Sequence, residues 1–133
     1  MTVLLDTHAL HWLVSENIGH LTTHQRQVCA TAGLRVSAVS CWELAIHVRK
    51  GRLAFVPDFP TWWKQALGLS RAVELPLTSE IVFASESLVD FPRRDPGDRF
   101  VAGTAVALKL PLVTVDRAIL EWGRTHPEIT CVY

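Results

Sequence analysis

The sequence predicts an α/β sandwich built on a mostly parallel sheet. Two observations lead there. The runs Val3 to Leu5 and Leu112 to Val115 are apolar on successive residues, as strands covered on both faces are. Helical patterns separate the strand-like runs along the whole chain, and parallel strands need such crossovers. The chain has 133 residues, 49% of them hydrophobic, which suits one domain over residues 1–133 with a sizeable core.

In order, the first strand, Val3 to Leu5, ends at Asp6, and a helix over His8 to Ser15 follows directly. Thr22 to Thr31 reads as a second helix, with Thr22 or Thr23 as its cap. The strand Leu34 to Val36 leads into an amphipathic helix, Ser40 to Lys50, which Gly51 stops. Phe59 to Leu69 carries Trp62, Trp63 and Leu67 and precedes the strand Ala72 to Leu75. Ser79 to Leu88 is helical, and Pro92 excludes its continuation. Pro96 to Leu108 is rich in Ala and Val on nearly every side, so it is expected to be buried. The strand Leu112 to Val115, the helix Arg117 to Gly123 and the strand Ile129 to Val132 complete the chain.

Thirteen Lys and Arg balance thirteen Asp and Glu, so a nucleic-acid partner cannot be argued from net charge. The cysteines Cys29, Cys41 and Cys131 are odd in number and contain no CxxC pair. They predict buried thiols in a reducing cytoplasm and neither a disulfide framework nor a zinc site. The N-terminus has no basic segment followed by a long apolar stretch, and no apolar run is long enough to cross a bilayer. A cytoplasmic protein without a membrane partner is expected. No GxGxxG or Walker loop occurs, which disfavours a generic phosphate-binding regulator.

Five acids stand where the chain passes from a strand or loop into a helix. Asp6 and Asp116 end the first and fourth strands, at the edge of a parallel sheet where ligands bind. Glu43 is expected in the first turn of its helix, and Asp95 and Asp98 flank Pro96. Helix capping accounts for several of them singly. Asp6, Asp95 and Asp116 are good caps, and Ser40 to Glu43 reads as a capping box. Asp95 before Pro96 is left as a cap. Together they make a different case. Acids gathered at one sheet edge repel one another unless cations neutralise them. Carboxylate oxygens with water suit Mg²⁺ or Mn²⁺, and Mg²⁺ meets only one or two carboxylates directly. Asp6 and Asp98 as inner ligands, with Glu43 and Asp116 outside them, fit that habit. Such a site hydrolyses phosphodiesters: the metal polarises a phosphoryl oxygen and lowers the pKa of bound water.

Four blocks carry a family resemblance. They are Leu4-Leu5-Asp6-Thr7; Ser40 to Ile46 followed by Gly51-Arg52-Leu53; Arg94 to Ala102; and Leu112 to Asp116. In order and spacing they resemble PIN domains, and among these the VapC toxins of bacterial toxin–antitoxin pairs. The resemblance implies a PIN-like three-layer sandwich with a five-stranded parallel sheet flanked by helices. It implies an Mg²⁺- or Mn²⁺-dependent endoribonuclease, a homodimer, and inhibition by a small VapB-like antitoxin threaded along the groove. Asp6, Glu43, Asp98 and Asp116 match the family's four acidic positions, with Asp6, Asp98 and Asp116 as metal ligands. Thr7 and Thr114 match supporting positions. Gly97 stands where a bulky apolar residue is common and Gly103 where alanine is usual, so both are expected to loosen the start of that helix.

Basic residues flank the acids, and Arg99, Arg94 and Arg117 are expected to hold the RNA backbone, Arg99 foremost. Trp62 and Trp63 are helix neighbours and cannot both face the core, so one is expected at the surface or an interface. His8 with His11, and His20 with His24, have helical spacing but no third ligand, and read as surface histidines. The alternative to an enzyme is a catalytically weak PIN-like module that binds RNA or regulates. The complete set of four acids favours the enzyme.

Overall fold

The computed structural model describes residues 1–133. The chain runs β1 (Thr2–Leu5), α1 (Thr7–Val14), a 3-10 turn (Ile18–His20), α2 (Thr23–Thr31), β2 (Gly33–Ser37), α3 (Ala38–Arg49), α4 (Phe59–Ser70), β3 (Val73–Leu75), α5 (Ser79–Glu86), α6 (Pro96–Leu108), β4 (Leu112–Val113), α7 (Arg117–Arg124) and β5 (Cys131–Val132). The five strands form one parallel sheet in the order β3-β2-β1-β4-β5. The chain steps outward from β1 to β3, then returns to the other side of β1 at β4. The reversal lies between β1 and β4, and a crevice opens at such a point beyond the strand ends.

Side-chain alternation along β1 produces the layers. Val3 and Leu5 join Leu10, Val28, Leu44 and Trp63 in one core, beneath α1 to α4. Leu4 joins Val101, Leu112, Ile119 and Trp122 in the other, beneath α5 to α7. The unbroken apolar character of β1 thus reflects burial on both faces, as the sequence suggested. No helix is long and apolar enough to cross a membrane.

The boundaries differ from expectation in instructive ways. Ser37 caps α3, accepting the Val39 N–H at 3.0 Å. The helix therefore starts one turn earlier than the Ser40 capping box required. Ser40 lies inside it, fully buried, and Glu43 falls in the second turn. The capping box exists elsewhere, at Thr22 and Gln25 of α2. β4 stops at Val113 because the next carbonyl, that of Thr114, accepts from the buried Gln25 amide at 2.7 Å. The same amide donates to the Val132 carbonyl at 2.9 Å, tying α2 to the ends of β4 and β5.

Gly51, at φ +72°, ends α3 as read from the sequence. Gly103 does not loosen α6. A Cβ there would lie 2.8 Å from Ser85 Cα, so its absence lets α5 and α6 approach at backbone distance. No buried side-chain polar atom lacks a hydrogen-bond partner.

Candidate functional site

Each acid is delivered by a different part of the fold. Asp6 follows β1 and caps α1, accepting the Ala9 N–H at 2.7 Å. Asp116 lies just beyond β4 and caps α7, accepting from Ala118 at 3.0 Å and Ile119 at 3.4 Å. Asp98 stands in the first turn of α6 and is not its cap. Asp95 is, accepting the Gly97 N–H at 2.8 Å ahead of Pro96. Asp6, Asp98 and Asp116 line one cleft of about 300 Å³, with His8, Arg93 and Arg117.

Glu43 reaches the same edge from α3. The Thr7 hydroxyl donates to its Oε1 at 2.7 Å, and the Thr7 oxygen is 2.8 Å from Ser40 Oγ. A hydroxyl has one proton, so with Glu43 ionised the Ser40 hydroxyl donates to Thr7. The Glu43 carboxyl lies over Gly97. A Cβ at that glycine would be 2.5 Å from Glu43 Cδ and 2.8 Å from Oε2. Gly97 is therefore the clearance that seats this carboxylate against α6, which is a different role from loosening the helix.

The electrostatics mark the four acids apart from ordinary surface carboxylates. Burial pushes the Glu43 carboxyl up to about 7, with the charges of Asp98, Asp95 and Asp6 adding to the rise and the Thr7 hydroxyl opposing it. Burial also pushes Asp98 up to about 6, aided by Asp95, Asp116 and Asp6 and opposed by Arg93. Asp6 is raised chiefly by burial, against the stabilising Thr114 hydroxyl and Ala9 amide. Asp116 alone goes down. Burial would raise it, but the Arg93 fork and the Ile119 and Ala118 amides outweigh that. Thr114 is buried and serves both strand ends, since its Oγ also accepts the Asp116 N–H at 3.1 Å.

The donors are all hard oxygens, the set that Mg²⁺ and Mn²⁺ take. No three His, Cys, Asp or Glu side chains stand close enough to cage an ion by themselves. A cation that keeps several waters does not need such a cage, and Asp6 and Asp98 in one cleft match its usual one or two direct carboxylates.

The basic residues divide. Arg117 is exposed on the cleft wall. Arg94 is exposed and forms no ion pair. Arg99, favoured from sequence for phosphate contact, is directed to the α5 side. Its Nη1 donates to the Ser85 carbonyl at 3.0 Å, and its guanidinium lies 5.5 Å from the Phe91 ring centre. The cation that does meet an acid is Arg93, with Nε 2.8 Å from Asp116 Oδ2 and Nη2 2.8 Å from Oδ1. Nothing local in the sequence distinguishes Arg93, because its partner lies 23 residues away.

The tryptophans also differ from expectation. Trp63 is buried, with its indole N–H on Glu74 at 2.8 Å, and Trp62 packs half-buried among Phe55, Phe59 and His11. The exposed indole is Trp42, 48% accessible, beside Ala38, Val39, Leu77 and Phe100 around an apolar hollow of about 330 Å³. Trp12 stacks on His20 and His8.

Comparison with known proteins bears on this geometry. The family model described as the PIN domain matches residues 3–124. Ribonuclease VapC22 of Mycobacterium tuberculosis (strain ATCC 25618 / H37Rv) is 27% identical over 132 residues, spanning 99% of this chain and 98% of that protein. Among solved structures, VapBC2 from Rickettsia felis, bound to a promoter DNA fragment, superimposes with a TM-score of 0.65 at 16% identity, covering 98% of this chain and 97% of the other. A toxin–antitoxin complex from Klebsiella pneumoniae gives 0.62 at 17% identity, with 98% of each chain covered. The PIN model spans all four acids and four of the five strands, β1 to β4, and the chain belongs to the PIN-domain family.

Proposed function

We propose that this protein is a metal-dependent endoribonuclease, a VapC-like toxin that hydrolyses RNA phosphodiester bonds and is held in check by a VapB-like antitoxin. The observation that carries the reading is the convergence of Asp6, Glu43, Asp98 and Asp116 at the β1/β4 crevice, three of them in one cleft. The name of the mycobacterial relative, a ribonuclease, supports the activity. The toxin–antitoxin complexes among the structural neighbours support the partner. The exposed apolar hollow at Trp42 is a further reason to expect a protein partner. A homodimer in the cytoplasm completes the proposal, and the three free thiols accord with a reducing compartment.

Asp6 and Asp98 would hold Mg²⁺ or Mn²⁺, with Asp116 and Glu43 acting through its water shell. The bound ion would supply Lewis-acid polarisation of the phosphoryl oxygen and acidify the attacking water. The chain's own contribution is placement and proton handling. Thr7 fixes Glu43 Oε1, which leaves Oε2 to accept a proton from that water. A carboxyl displaced to about 7 can take up and release a proton near neutral pH. Thr114 orients Asp6 and Asp116 together.

Asp6→Asn and Asp98→Asn test the assignment. Asn caps a helix as well as Asp, so α1 should remain intact in the first variant. Loss of magnesium-dependent RNA cleavage in both, with unchanged circular dichroism, is the expected result. Undiminished cleavage in either would refute the assignment. Growth arrest on expression without the antitoxin separates a toxin from a silent binding module.

A further inference from the structure

We propose that Arg93 is the phosphate-positioning cation of this site, and that Asp116 serves to hold it. The inference rests on the nuclease reading above. A cleft lined by Asp6, Asp98 and Asp116 repels a polyanion, so the wall needs a cation of its own. Arg93 and Arg117 are the only Lys or Arg side chains that line it, with His8 beside them. Arg99 is committed to the Ser85 carbonyl and the Phe91 ring.

Of the two wall cations, Arg93 is the one held in place. Its Nε and Nη2 engage both oxygens of Asp116 at 2.8 Å each. Asp116 is itself fixed by the amides of Ala118 and Ile119. Nη1 makes no hydrogen bond within the chain, and the side chain remains 45% exposed. A guanidinium has five N–H donors in a rigid fork, and two nitrogens on a carboxylate leave the third for a phosphate oxygen. Because Asp116 already restrains the side chain, binding a phosphate costs little further rotamer freedom. Arg117 is exposed without such a tether and serves as the comparison.

The simpler role is neutralisation of Asp116, and the two are separable. The experiment measures binding of a short fluorescent single-stranded RNA in EDTA, so that no strand is cut, across a series of salt concentrations. Arg93→Gln should weaken binding about tenfold, the size of one charge-assisted hydrogen bond. It should also lower the slope of log affinity against log salt by about 0.7, one phosphate contact on a single strand. Arg93→Lys should recover the slope without the full affinity, because it restores the charge and not the fork. Arg117→Gln should change both less. If Arg93→Gln melts lower than the parent yet binds RNA with unchanged affinity and slope, the residue is only a counter-ion and the proposal fails. Absence of RNA binding by the unaltered protein in EDTA and again in Ca²⁺, a cation that fills carboxylate sites, would overturn the nuclease reading together with this role.

Discussion

Asp6 and Asp116 are the same residue type at the same structural position, just beyond adjacent parallel strands, and each caps the helix that follows. Their charges nonetheless meet opposite fates. Asp6 is half-buried against a hydroxyl and an amide with no guanidinium to pair it, and its carboxyl is raised. Asp116 has Arg93 across both oxygens, and its carboxyl is lowered. Capping geometry is thus silent about function. The distinction lies in whether the fold supplies a cation or leaves the carboxylate short of one. Glu43 and Asp98 fall with Asp6 on the unpaired side.

The sharpest way to break this contrast is paired neutralisation. Asp6→Asn should reduce RNA cleavage at least about 100-fold while the metal-free protein melts no lower, since a disfavoured anion is removed and the cap is kept. Asp116→Asn should lower the melting temperature, because Arg93 loses its partner. Equal falls in melting temperature for the two variants would erase the distinction. Gly97→Ala comes next. The added methyl displaces Glu43, so cleavage should fall about tenfold, as misplacing a catalytic group costs. Melting should change little, because alanine favours the helix that glycine disfavours.

A pH series then tests the unpaired set as a whole. Glu43, at about 7, and Asp98, at about 6, bind protons more tightly folded than unfolded. Their contribution to stability is complete below the ordinary carboxylate range, near 4, and is lost as pH rises through about 6 to 7. Asp116 runs the other way: its contribution is present above that range and is lost as pH falls. The metal-free protein should therefore melt a few degrees lower at about pH 8 than at about pH 5. Saturating Mg²⁺ should remove most of the difference by binding the folded state. An apo melting temperature that rises steadily over this interval would contradict the assignment of Glu43 and Asp98. The smallest effect is expected from Asp95→Asn, since Asn keeps the α6 cap and the residue stands outside the cleft.

Much of the architecture was legible because it is local. Burial of Val3, Leu4 and Leu5 on two faces writes itself as consecutive apolar residues, and Asp6, Thr22, Asp95 and Asp116 all cap helices as read from the sequence. Ser37 and Ser40 show where local reading runs out. Both satisfy a cap pattern, and only the burial of Ser40 beneath Thr7 decides between them. The clamp of Arg93 on Asp116, the seat of Glu43 over Gly97 and the approach of Ser85 to Gly103 join segments far apart in the chain. Such contacts depend on tertiary packing, which hydrophobic periodicity does not encode. The acids themselves were legible as residues, and the family pattern named them. Their unequal electrostatics were not, because these follow from three-dimensional neighbours.

Gln25 gives the C-terminus a reach beyond its size. One side-chain amide grips the backbone on both sides of the last crossover, at Thr114 and at Val132. Undocking the final strand, only two residues long, would leave half of that grip empty and free the segment carrying Thr114 and Asp116 to drift. Anything that tugs on the tail, a fused tag included, would then be felt as blunted chemistry at the far side of α7.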